Sequence, residues 1–241
     1  MPTAPSPDQE CRLGVLAFGD SITNGGGELQ WGIALQSWAL WTARGLGLPY
    51  TGYALDGARV ADVLAREIPA FGERAVPKDA RYHVGCLYTG VNDVRSGDWV
   101  PASFADDFES ALGYIRGHCE RMIVLTAPLG LGFPSAGANV SELNAIVREA
   151  AARHAALVVD LESFGARNQV MVDRVHPTAL GQIAIAERAL AVLEADGLPA
   201  PIRPSSLVEV RSSRSNRLRG DWTYAYRQAK LHAGVLLAGR R

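Results

Sequence analysis

Short apolar runs alternate along the chain with longer stretches whose apolar residues recur at helical spacing. Leu13 to Phe18 is a compact apolar run that stops at Gly19-Asp20-Ser21, the pattern of a buried strand ending in a tight turn. Trp31 to Leu46 places Trp31, Ala34/Leu35, Trp38/Ala39 and Trp41/Thr42 on one side of a predicted helix. Tyr50 to Leu55 is a second strand, and Ala58 to Phe71 a second helix with Val60, Val63/Leu64 and Ile68 on its apolar face. The alternation continues with a strand at Tyr82 to Tyr88, a helix at Ser103 to Arg116 and a strand at Met122 to Thr126. Ser141 has the chemistry of an N-cap for a helix reaching His154, Leu157 to Leu161 is a fifth strand, and Thr178 to Leu193 is a last helix.

Strands separated by helices of ten or more residues imply a parallel sheet covered on both faces. Right-handed crossovers restrict the topology, and the order 2-1-3-4-5 is expected. The fold class is therefore α/β, a flavodoxin-like three-layer αβα sandwich on a five-stranded parallel sheet, with a C-terminal helical extension.

Proline-rich Leu198 to Pro204 ends the series, and the predicted division is a domain at residues 1–201 followed by a basic linker and helix at 202–241. In that helix, Asp221 to Leu237, the residues Trp222, Ala225/Tyr226, Ala229, Ala233 and Leu236/Leu237 share one stripe, with Arg227 and Lys230 off it. Docking on the domain, a homodimer contact and a membrane-surface helix all fit such a stripe.

At 241 residues, 48% hydrophobic and 20% charged, the chain has the composition of one substantial globular domain. The formal net charge of −1 conceals an asymmetry. From Ile202 onward nine Lys/Arg face two Asp/Glu, whereas fifteen face twenty-three before it. The basic tail either lies on the acidic body or meets an anionic partner such as lipid head groups. Nothing in this balance points to nucleic acid. No apolar run has the length of a transmembrane segment. The N-terminus lacks the basic patch and apolar core of a secretory signal, so a cytoplasmic location is expected. Cys11, Cys86 and Cys119 form no CxxC pair, which indicates neither a zinc site nor a disulfide framework. Cys86 reads as a core residue, and Cys119 as either core or a reactive thiol.

Chemistry concentrates in three segments that fall at, or can reach, the carboxyl ends of predicted strands, where sites form in such sheets. Gly19-Asp20-Ser21 directly follows strand one. A serine hydroxyl needs a neighbouring base to become a nucleophile, and a strand-to-helix turn would expose it and free its backbone N–H to bind an oxyanion. Gly90-Val91-Asn92-Asp93 follows strand three, and an asparagine amide can donate to developing negative charge. Asp173-Arg174-Val175-His176-Pro177 precedes the last helix; a histidine oriented by a carboxylate is the usual general base near neutral pH. Each segment has a bland reading, as a helix cap, a turn, or a lone histidine. The three together, in this order at sheet ends, should arise by chance in about one chain in a thousand or fewer.

With these residues the chain resembles the SGNH (GDSL-type) hydrolase family over about residues 13 to 194. The resemblance implies Ser21 as nucleophile, with Asp173 and His176 completing the catalytic triad. It implies an oxyanion hole of Ser21 N–H, Gly57 N–H in Leu55-Asp56-Gly57-Ala58-Arg59, and the Asn92 side chain. Gly52 stands where the family often carries an asparagine. Asp20 and Asp93 are expected to brace loops. Trp31, Trp99 and Phe133 either line a substrate pocket or pack at its rim. Gly25-Gly26-Gly27 is either a mobile loop beyond the nucleophile or a simple connection.

The function expected is a serine hydrolase that cleaves carboxylic esters, esterase- or lysophospholipase-like, through an acyl-enzyme on Ser21. It needs neither metal nor organic cofactor, and its partner is a small-molecule ester, with a lipid among the candidates. An acyltransferase using the same residues is the alternative, and a binding module that kept the fold is a third.

Overall fold

The computed structural model describes residues 13–30, 32–74, 80–133 and 135–209, together with Tyr226 and Ala229. The predicted helix at 221–237, most of the basic tail, Cys11 and Trp31 lie outside the described residues. Five strands form one parallel sheet, in the order β2-β1-β3-β4-β5. They are β1 (Val15–Gly19), β2 (Tyr50–Gly52), β3 (Tyr82–Tyr88), β4 (Cys119–Leu125) and β5 (Leu157–Val159). The expected three-layer architecture and strand order are observed. β1 is buried along its whole length, which is why it reads as an unbroken apolar run: helices cover both faces of a parallel sheet.

The helices divide by face. α2 (Trp38–Leu46) packs against α7 (Ala179–Ala195), and on the other side α5 (Pro101–Arg116) packs against α6 (Ala138–Arg153). Also in contact with α5 are α3 (Val60–Asp62) and a π-helical turn, Val63–Glu67, which runs on into α4 (Ile68–Gly72). Phe18 on β1 stacks on Tyr53 at 5.5 Å and meets Phe71 of α4 edge-on at 5.8 Å, so this helical segment is anchored directly on the central strand. Past α7 the chain lies back on the domain. Ile202 N–H donates to Gly45 O at 3.1 Å, and Arg203 pairs with Glu194 at 2.8 Å.

Three predicted helices differ from what is observed. α2 begins only at Trp38, capped by the Ser37 hydroxyl, which accepts from Leu40 N–H. Residues 32–36 are instead non-helical, with Ile33 bridged to Gln30 and its N–H donating to Gln30 O at 2.9 Å, so that this part of the backbone is satisfied outside a helix. α6 starts at Ala138 rather than after Ser141; Gly137, at φ +64°, makes the turn into it. The segment 60–72 is helical as expected, but the π turn adds a residue midway and re-aims the side chains that follow. Cys86 and Cys119 are both buried and free, and burial pushes the Cys119 thiol up to about 12, so it behaves as a core residue. Among the described residues no helix is long and apolar enough to cross a membrane.

Candidate active site

β1 ends at Gly19, whose φ of +141° turns the chain out of the sheet against the carbonyl of Tyr88. A Cβ built there would lie 2.1 Å from Tyr88 O, so the turn is closed to any side chain. The short helix α1 (Ser21–Asn24) starts at once. Asp20 is its N-cap, accepting from Ile22 N–H through Oδ1 at 2.9 Å. Ser21 thus occupies the first helical position, where backbone N–H groups have no intrahelical acceptor.

The loop ahead of α7 delivers His176 to this serine. Its Nε2 lies 2.9 Å from Ser21 Oγ, and its Nδ1 lies 2.8 Å from Asp173 Oδ2. The other oxygen of Asp173 accepts from the N–H groups of Val175 and His176, at 2.9 and 3.1 Å. Between the two residues Arg174 adopts φ +55°, a left-handed conformation that folds the four-residue segment into a tight turn. Asp173 and His176 are each half-buried. Burial alone would raise the Asp173 carboxyl, but the hydrogen bonds from the His176 ring and from the two backbone donors hold it below its usual range. The His176 imidazole is raised, chiefly by its hydrogen bond to Asp173 and against the opposing effect of burial.

Asn92, in the turn after β3, donates from Nδ2 to Ala58 O at 2.9 Å. That bond uses one of the two amide hydrogens and leaves the second. It also ties Asn92 to the residue following Gly57, which sits exposed at φ +75° with open space around its Cα. Asp93 accepts from Val60 N–H at 3.3 Å, holding the two turns together. Burial pushes Asp93 up to about 6 and Asp20 up to about 7. Asp20 also adds its field to His176. Both acids brace loops, as expected.

Ser21, Asp173 and His176 are therefore brought together by hydrogen bonds, Asn92 is tied to the turn of Gly57, and Asn24 of α1 reaches that turn by donating to Asp56 at 2.9 Å. Trp99 is placed otherwise: its ring packs on Phe104 at 5.3 Å, and its Nε1 donates to Glu142 at 3.1 Å, a rim contact between α5 and α6.

Gly25-Gly26-Gly27 is a packed connector rather than a mobile loop. Gly25 closes α1 at φ +97°, and Gly26 N–H returns to Ser21 O. A Cβ on Gly27 would stand 2.1 Å from Pro177 O, so glycine is what lets the segment after the serine touch the segment carrying His176. Gln182 of α7, fully buried, fastens the same region: Nε2 donates to Ile22 O at 3.0 Å and Gly26 O at 3.1 Å, while Oε1 accepts Trp38 N–H at 2.7 Å. Gly27→Ala is accordingly expected to cost about 1–3 kcal/mol of stability, the usual range for overpacking a tight contact. Urea denaturation measures it, and a variant as stable as the parent would show that the contact relaxes freely.

Gln182 and Glu67 are the site-supporting residues that the sequence motifs do not include. Glu67, 1% exposed, accepts from Gly19 N–H at 2.9 Å and from Leu55 N–H at 3.2 Å. A signal for it existed. Glu67 falls on the stripe of Val60, Val63 and Phe71, where an acidic residue at a buried helical position calls for partners.

A family model for the GDSL-like lipase/acylhydrolase family matches residues 17–184. Among solved structures, LAE5, an alpha/beta hydrolase enzyme from the metagenome of Lake Arreo, Spain, is similar, with TM-score 0.60 and 21% identity over 76% of this chain and 96% of that one. Axe2, an acetylxylan esterase from Geobacillus stearothermophilus, is similar with TM-score 0.58 and 20% identity over 76% and 95%. No curated protein matches the chain. At such identities the two structures attest the fold, whereas the family match spans most of the chain and contains Ser21, Asn92, Asp173 and His176. The chain belongs to the GDSL-like lipase/acylhydrolase family.

Proposed function

We propose that this protein is a serine esterase that cleaves small carboxylic esters through an acyl-enzyme on Ser21. The observation that carries the reading is the continuous hydrogen-bonded chain from Ser21 Oγ through His176 to Asp173. His176 accepts the Ser21 proton as Oγ attacks the ester carbonyl. Asp173 keeps the imidazole proton on Nδ1 and stabilises the imidazolium that forms. The N–H groups of Ser21 and Gly57 and the remaining Asn92 amide hydrogen stabilise the tetrahedral oxyanion. The alcohol departs with the proton from His176, and water, activated by the same imidazole, releases the acid and regenerates Ser21. No step calls for a metal or an organic cofactor.

The substrate class is read between two kinds of ester. The fold is shared with an acetylxylan esterase, which favours an acetylated carbohydrate; the basic tail favours a lysophospholipid. The test is a panel of esters graded in acyl length and alcohol, including an acetylated sugar and a lysophospholipid, combined with mass spectrometry of the enzyme after reaction with an organophosphonate. Turnover of at least one class, with a single adduct on Ser21, is the expected result. Failure to hydrolyse any ester, or an adduct elsewhere, contradicts the proposal.

A pH dependence follows. His176 acts only when neutral, and Asp173 raises its ionisation above the ordinary histidine value of 6.5. Protonation therefore sets in at a higher pH than for a free histidine, and kcat/KM should fall with acid through a midpoint above about 6.5. Rates measured from about pH 5 to 9 decide it; a flat profile removes His176 as the base.

A further inference from the structure

Where β1 and β2 part, a carboxylate takes the place of strand pairing. Tyr53 N–H donates to Ala17 O at 2.9 Å and Leu55 N–H to Gly19 O at 3.0 Å, so the chain beyond β2 still follows β1. Gly19 N–H, the next donor on that side, finds Oε2 of Glu67 at 2.9 Å instead of a backbone carbonyl. The other oxygen, Oε1, takes a second share of Leu55 N–H at 3.2 Å. One buried side chain therefore accepts from both backbones. Gly19 lies two residues before Ser21, and Leu55 two residues before Gly57. The two strands of contact lead directly to two oxyanion donors that separate loops must hold at a fixed spacing.

We infer that Glu67 is a positioning residue of the active site, whose two carboxylate oxygens set the separation of the Ser21 and Gly57 turns and so the shape of the oxyanion hole. The inference rests on the esterase reading above. The π turn gives the segment its unusual aim, since Val63–Glu67 closes with Ile68 N–H on Val63 O and carries the carboxylate inward at its end. Such single turns cost helix regularity and are frequent at functional sites. Phe71, one turn on, locks the segment against Phe18 and Tyr53. Burial pushes the Glu67 carboxyl up to about 8, against the pull of its two N–H donors, and when protonated its hydroxyl oxygen still accepts through a remaining lone pair. An apolar side chain would fill the space but leave the buried Gly19 N–H without an acceptor, and a group with one acceptor atom could serve only one of the two backbones. What an apolar group cannot do is accept from two diverging backbones at once.

Glu67→Gln separates the roles. Glutamine matches the shape but offers one acceptor oxygen, and its NH2 must face one of the two N–H donors. Both Glu67→Gln and Glu67→Ala are expected to lower kcat about 10- to 100-fold, the scale of a misplacement of about 1 Å in a reacting constellation. KM should stay within about twofold, and phosphonylation of Ser21 should slow in parallel. Amide exchange followed by mass spectrometry or NMR supplies a readout independent of turnover: protection of the Gly19 and Leu55 N–H groups should drop at least about tenfold in both variants. Unchanged amide protection overturns the inference whether or not any ester is turned over. So does a kcat kept within about twofold, or a loss confined to KM or to thermal stability. If the parent itself hydrolyses no ester while the amide protections respond as stated, the esterase reading fails and the clamp stands.

Discussion

Ser21→Ala is expected to lower kcat by about a million-fold while leaving the fold and KM near those of the parent. The fold should survive because Ser21 is the first residue of α1, not its cap; the capping carboxylate belongs to Asp20. Alanine is moreover the residue most at ease in a helix. Among the described residues the hydroxyl's one hydrogen-bond partner is His176, at 2.9 Å. In the proposed mechanism its removal takes away the nucleophile, and in serine hydrolases that work this way loss of that one group costs about as much as loss of the whole triad. Such a fall corresponds to about 8 kcal/mol of activation free energy. The activity that remains should come from the oxyanion donors and substrate binding, which still exceed uncatalysed hydrolysis. Turnover with a purified Ser21→Ala variant measures the effect, with circular dichroism as control for folding. A loss under about a hundredfold would place the nucleophile elsewhere.

Asp173→Asn should cost about ten-thousand-fold in kcat, and for a different reason. The asparagine oxygen can keep the two backbone donors of Val175 and His176, so the turn that carries His176 survives. Its NH2 then faces Nδ1, which must become an acceptor. The ring proton moves to Nε2, the atom 2.9 Å from Ser21 Oγ, and the imidazole can no longer take the serine proton. The acid limb of the pH profile should also move down, because the hydrogen bond that contributes most to raising His176 is gone. Rates and pH profiles of the variant, compared with the parent, test both statements. A fall under about tenfold would remove Asp173 from the chemistry and leave it as a turn residue.

Much of this site is legible in the sequence because its reacting groups lie in short contiguous segments. Gly19-Asp20-Ser21, the Gly90 to Asp93 turn and Asp173 to His176 each pack their chemistry into a few neighbouring residues. The first two lie directly after β1 and β3, a placement that follows from hydrophobic period alone, and the third lies in the loop ahead of α7. The supports do not share that property. Glu67 is separated from Gly19 by 48 positions, and Gln182 from Ile22 by 160. In the sequence Glu67 is an acid on the apolar stripe of its helix, which calls for partners but does not say that they are the Gly19 and Leu55 N–H groups. Ser141 misled in the same way, since serine suits an N-cap anywhere, whereas the turn that starts α6 is made by Gly137.

What the sequence by itself determined is the alternation of strands and helices, the parallel sheet, its order and the segments that carry reactive groups. All of these depend on local burial pattern, capping chemistry and the handedness of crossovers. The tertiary structure decided what brings those segments into register. It turned three glycines from a connector into the contact that seats His176 beside Ser21, because Gly27 leaves room for the Pro177 carbonyl. It also placed one buried carboxylate between the Gly19 and Leu55 backbones. Ser21 is marked by its local sequence, but its contact with His176, 155 positions away, exists only once the sheet has formed.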